Sequence, residues 1–134
     1  MMKIARRFPV AIATTCVAFA GFTIAAPRTT NDGVFTEEQA AAGEALYAEH
    51  CMLCHDKKYF RPVLQRMEGQ PLGIMFTVIA TSMPESNPGI LSEKECVDIL
   101  AYILSLSRYA PGDSELDYQA GALNELLIEP RQRK

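Results

Sequence analysis

Cys51 and Cys54 stand three positions apart with His55 directly after them, a grouping of two thiols and an imidazole within five residues. The pattern C-x-x-C-H reads as an attachment site for a c-type haem. One turn of helix puts the two sulfurs on one side of the backbone, where each can form a thioether bond to a vinyl group of the porphyrin. The histidine next along is then held under the iron, for which a neutral imidazole nitrogen is a good ligand. A bare C-x-x-C also fits a thioredoxin-like redox pair or half of a zinc site. The first belongs beside a βαβ sheet, and no alternating or β-branched strand pattern flanks the motif. The second needs two more ligands at metal spacing, and the remaining thiols, Cys16 and Cys96, are isolated.

A second iron ligand has to come from elsewhere, because the chain has only two histidines. His50 directly precedes Cys51 and cannot swing to the far face of a haem tethered by its neighbour. It reads as an exposed or locally hydrogen-bonded side chain, and ligation by two histidines of one molecule is excluded. Met83 stands before Pro84, and a residue before proline is pushed out of helical geometry. An extended loop is therefore expected at Met83, with its thioether free to point at the iron. Thioether sulfur is a soft ligand that favours Fe(II), and a His/Met pair raises the reduction potential. Met67 and Met75 lie in apolar runs and read as core filler. Met52, between the tethering cysteines, cannot reach the far face. Pro62 offers its carbonyl as an acceptor for the other ring N–H of His55, and it should break regular structure where it stands. Leu64 reads equally as cover for the haem edge or as core.

These groups need helices to position them. Thr36 reads as an N-cap with Gln39 closing a capping box, opening a helix over about residues 37–49, with Phe35 packing back on Ala40. Gly43 in mid-helix costs about 1 kcal/mol against alanine, which predicts a close crossing by another helix with Tyr47 beside it. Asp56, Lys57 and Lys58 read as a solvated turn, with docking as a second use for the lysines. The apolar stretch 72–80 is short enough for helix or strand, and helix is expected, with Phe76 and Ile79 on one face. Ser92 and Glu95 form a second capping box. The helix that follows carries Val97, Leu100, Ala101 and Leu104 in one row, widened by Ile99, Tyr102, Ile103 and Leu106, so it should be buried on more than one side. Ala101 and Tyr102 suit the crossing opposite Gly43 and Tyr47, and Cys96 reads as a small buried hydrophobe. Pro111 and Gly112 end that segment. A further short helix is expected over residues 114–128, with Leu116, Leu123, Leu126 and Leu127 lying on the domain. Arg131, Arg133 and Lys134 form a basic tail.

The N-terminus has the layout of a secretory signal: Lys3, Arg6 and Arg7, then an uncharged run of 19 residues from Phe8 to Ala26 ending in small residues. Ala18-Phe19-Ala20 fits the cleavage rule, and Thr23-Ile24-Ala25 is a second site. The competing reading is an uncleaved membrane anchor, since a span needs about 17–25 residues. Cys16 leaves with the leader. Residues 27–34 are polar and read as a flexible lead-in. The haem domain then occupies residues 35–110, and residues 111–134 form a C-terminal extension. Without Lys3, Arg6 and Arg7, 13 − 3 = 10 basic side chains face 16 acidic ones. That acidic balance disfavours nucleic acid and anionic lipid as partners.

Gly43-x-x-x-Tyr47, Cys51-x-x-Cys54-His55, Ser82-Met83-Pro84 through Pro88-Gly89-x-Leu91, and Ile99-Leu100-Ala101-Tyr102 together resemble the class I c-type cytochromes. The likeness covers about residues 35–107. It implies an all-α cytochrome c fold whose N- and C-terminal helices cross over one covalently bound haem c. It also implies that Cys51 and Cys54 carry the haem, that His55 is the proximal ligand and that Met83 is the distal one. The tail resembles that of small bacterial cytochromes that work with periplasmic dehydrogenases. The implied protein is a periplasmic one-electron carrier between redox partners, a dehydrogenase or a terminal oxidase among them. A fixed haem subunit of an oxidoreductase, or a haem enzyme or gas sensor with a displaceable sixth ligand, are the alternatives. One departure stands out: Met83 follows His55 by 83 − 55 = 28 residues, short for the family, so haem cover between the ligands must be trimmed. Asp56-Lys57-Lys58 also replaces the usual glycine-rich turn.

Overall fold

The computed structural model describes residues 26–132. The leader, its cleavage sites and Cys16 fall outside the described residues, as do Arg133 and Lys134. Four α-helices follow one another, α1 (Glu37–His50), α2 (Phe60–Arg66), α3 (Gly73–Ser82) and α4 (Glu93–Leu106), and a 3-10 helix spans Gln119–Asn124. Among the described residues there is no strand, only isolated bridges from Leu127 to Thr29 and to Pro71.

The crossing of α1 on α4 is the centre of the packing. Gly43 makes it possible: a Cβ there would overlap the backbone carbonyl of Asp98. Tyr47, one turn on, is fully buried and meets Tyr102 edge-on, with ring centroids 5.3 Å apart. The glycine thus faces the backbone at Asp98, one turn before the expected Ala101, while Tyr102 takes the place expected of it. α4 is buried nearly all round, from Cys96 to Leu104. Asp98 fits there because Lys94, one turn before it, donates to both carboxylate oxygens. Ser92 accepts from the amide of Glu95 while the Glu95 carboxylate accepts from the Ser92 amide, a complete capping box. Those bonds hold the Glu95 carboxyl below its usual range.

Three expectations need correction. Thr36 does cap α1, accepting from the amide of Gln39, but the Gln39 side chain closes no capping box. It is buried, and its amide pairs with the backbone of Leu116, donating to the carbonyl at 3.2 Å and accepting from the N–H at 2.7 Å. Pro62 does not interrupt structure; it lies in the first turn of α2, where the missing N–H would have had no helical partner anyway. Residues 114–128 form no α-helix beyond the 3-10 turn. Gly121, inside that 3-10 segment, has φ +78°, a left-handed conformation that an α-helix does not accommodate. The following backbone is used sideways: Leu126 C=O accepts from Leu72, Ile128 N–H donates to Gln70, and Leu127 exchanges bonds with Arg28 and Thr30. Residues 28–30 of the lead-in are held by this pairing, and Thr30 is buried.

Candidate haem-binding site

The last turn of α1 runs directly into the cysteine motif. The amides of Cys51 and Met52 both donate to the Tyr47 carbonyl, at 2.9 and 3.0 Å. The Cys51 carbonyl in turn accepts from Cys54 at 3.1 Å and from His55 at 2.9 Å. One closed turn therefore holds both sulfurs and the imidazole. Cys51 and Cys54 are free thiols, the first half-buried and the second exposed. Burial pushes the Cys51 thiol up from its ordinary value.

Tyr47 locks this turn onto the helix crossing. Its hydroxyl sits 2.8 Å from the His55 carbonyl and 3.1 Å from that of Asp56, and burial pushes its pKa up to about 12, so it stays a donor. The imidazole of His55 is walled by two aromatic rings, Tyr59 at 4.2 Å and Phe60 at 5.5 Å between centroids. The residue is half-buried. Its Nδ1 is buried and has no hydrogen-bond partner. The bond expected from Pro62 is therefore missing, because Pro62 has become part of α2. Tyr59 and Phe60 were legible only as an aromatic pair four and five residues after the histidine.

Lys57 is not a free docking charge. Its ammonium lies 3.1 Å from Glu44 on α1, and the same carboxylate oxygen accepts from the Tyr102 hydroxyl at 3.0 Å. The hydrogen bond from Lys57 holds the Glu44 carboxyl below its usual range. Lys58 remains exposed, and His50 is half-buried with Nε2 3.8 Å from Glu49.

Met83 stands on a separate element. It is the C-cap of α3, with φ −121° and ψ 148°, and its amide donates to Ile79 at 3.2 Å. The helix therefore carries the methionine at its tip in extended geometry, as the following proline predicts. The other methionines lie elsewhere: Met75 is core, Met67 packs against the core, and Met52 is exposed. Leu64 is core as well.

The donor set fits an iron porphyrin. Two free thiols in one turn match two vinyl groups, and the imidazole and thioether are ligands that haem iron takes. Large apolar side chains stand exposed nearby in sequence, Met52 and Leu53 within the motif and Tyr59 just after it; Leu53 is 96% exposed, which a core role cannot explain. Among the described residues no cluster of His, Cys, Asp or Glu could hold a bare metal ion, so the zinc reading of the cysteines gains nothing. No helix among them is long and apolar enough to cross a membrane.

An all-α domain whose first helix ends in C-x-x-C-H and is crossed by its last helix is that of a class I c-type cytochrome. Residues 38–103 match the family model for cytochrome C oxidase, cbb3-type, subunit III. The chain is a class I c-type cytochrome with one covalently bound haem c and a role in electron transfer. Neither curated proteins nor solved structures gave a match.

Proposed function

We propose that this cytochrome is a one-electron carrier exported to the periplasm. Cys51 and Cys54 hold the haem through thioether bonds, and His55 and Met83 are the axial ligands. The observation that carries the reading is the pairing of a closed C-x-x-C-H turn at the end of α1 with an extended methionine at the tip of α3. When bound, haem c supplies an Fe(III)/Fe(II) couple. The chain's own part is to hold and orient: Tyr47 fixes the turn by its bond to the His55 carbonyl, and Tyr59 and Phe60 set the plane of the imidazole. Were His55 and Met83 both to bind the iron, no position would be left for oxygen or peroxide, which supports transfer over catalysis. Residues 1–26 act as the export signal, cleaved near Ala20 or Ala25, residues 35–110 form the haem domain, and residues 111–134 its C-terminal extension. The donor and acceptor are redox proteins, a periplasmic dehydrogenase among them.

A second reading, a fixed subunit of a terminal oxidase, is favoured by the family description itself. Copurification from the native membrane separates the two: a carrier is released in the soluble periplasmic fraction, a subunit stays with a large oxidoreductase. The ligand assignment is tested by Met83→Ala. The covalent haem should remain, while the ferric sulfur-to-iron charge-transfer band disappears and the ferrous protein binds carbon monoxide at once. An unchanged spectrum would transfer the ligand role to another methionine.

A further inference from the structure

α3 is ten residues long, so at a rise of about 1.5 Å per residue it is a rod of about 15 Å. Met83 moves with it, because its amide completes the last bond of the helix. No side chain caps the start of α3. Among the described helices, its close backbone neighbours are α4 and the 3-10 helix, and neither α1 nor α2. Much of what steadies it therefore comes from chain beyond α4.

That chain grips the base of the rod at three points. Leu72 donates to the Leu126 carbonyl at 2.8 Å. Gly73 lies so close to Asn124 that a Cβ would overlap the Asn124 side chain. Phe76 stacks on Tyr118, with ring centroids 6.3 Å apart and an interplanar angle of 18°. The gripping segment is itself well anchored. Gln39 clamps Leu116 from α1, Ile128 donates to Gln70 at 2.9 Å, and within the segment the Tyr109 hydroxyl donates to the Glu129 carbonyl at 2.7 Å, tying its two ends together. Leu116, Leu123, Leu126 and Ile128 are core residues.

We infer that the segment from Tyr109 to Gln132 is the positioning element for the distal ligand: it fixes the base of α3 and, through that helix, where the Met83 thioether stands. This rests on Met83 being the ligand. With Met83 only 83 − 55 = 28 positions after His55, the stretch between the ligands has little chain with which to support its own last helix. The C-terminal strap supplies that support from outside the interval, and Tyr118 is the positioning residue at its contact with α3.

The test uses the full-length holoprotein, with Tyr118→Ala, Tyr118→Phe and Met83→Ala compared side by side. Two readouts report on the iron–sulfur bond: the ferric charge-transfer band and the rate of carbon monoxide binding to the reduced protein. Covalent haem content and far-ultraviolet circular dichroism report on folding. Tyr118→Ala is expected to keep haem and helix content, weaken the band and speed carbon monoxide binding by up to about tenfold, the size implied by loss of one aromatic stack. Tyr118→Phe keeps the ring and should match the parent. If Tyr118→Ala leaves band and rate at parent values while Met83→Ala changes both, the positioning role is overturned and the ligand assignment stands. If Met83→Ala changes neither, the ligand assignment has failed and the positioning role falls with it. Should Tyr118→Ala lose helix content, Tyr118→Leu, which keeps bulk without the stack, decides by the same criteria.

Discussion

Replacing Gly43 by alanine should destabilise the protein, although helix propensity alone favours the change by about 0.8–1.0 kcal/mol. The opposing effect is steric. The new methyl would overlap the Asp98 carbonyl and stand 3.0 Å from the amide nitrogen of Ile99. Both are backbone atoms of α4, so no rotamer change relieves the overlap and the two helices must move apart. Overpacking of a close-packed contact costs about 1–3 kcal/mol. The upper end applies here, because separating the helices also loosens the Tyr47–Tyr102 contact at 5.3 Å. The net loss is then about 2 kcal/mol. Urea unfolding of the holoprotein, followed by circular dichroism and by Soret absorption, measures it as a lower midpoint with unchanged slope. Gly43→Val should lose more. A Gly43→Ala midpoint equal to or above the parent's would refute the claim that α1 and α4 are in backbone contact at this residue.

Two further predictions concern buried groups. Tyr47→Phe removes the donor to the His55 and Asp56 carbonyls and should cost about 1 kcal/mol with covalent haem unchanged; the same urea titration reads it, and no loss would mean the hydroxyl does not lock the motif. Burial raises the Cys96 thiol to about 11 from an ordinary 9.0. Between those values the folded chain keeps a proton that the unfolded chain releases, so stability should fall as pH rises from about 9 to about 11. Cys96→Ala should flatten that slope, and an equal slope in both proteins would count against the burial effect.

The local conformation at the candidate ligands was legible in the sequence. Cys51, Cys54 and His55 form one turn because their spacing is that of a turn. Met83 is extended because a proline follows it, and Gly43 marks a crossing because nothing larger fits. The Ser92–Glu95 box is equally local. What escaped was decided at long range. Gln39 has the type and spacing of a capping-box residue, yet its amide is taken by Leu116, 77 positions away. Residues 114–128 carry helical leucine spacing, but the backbone of Leu126, Leu127 and Ile128 finds partners in residues 28–30 and 69–72 instead. Pro62 was misleading for the opposite reason: proline is tolerated in the first turn of a helix, and α2 starts just before it.

Haem attachment is tested by denaturing mass spectrometry of the protein matured in a host with a working cytochrome c assembly system, with proteolytic mapping of the product. The peptide containing Cys51 and Cys54 is expected to carry one haem bonded to both sulfurs. A colourless peptide with two free thiols at these positions would contradict it.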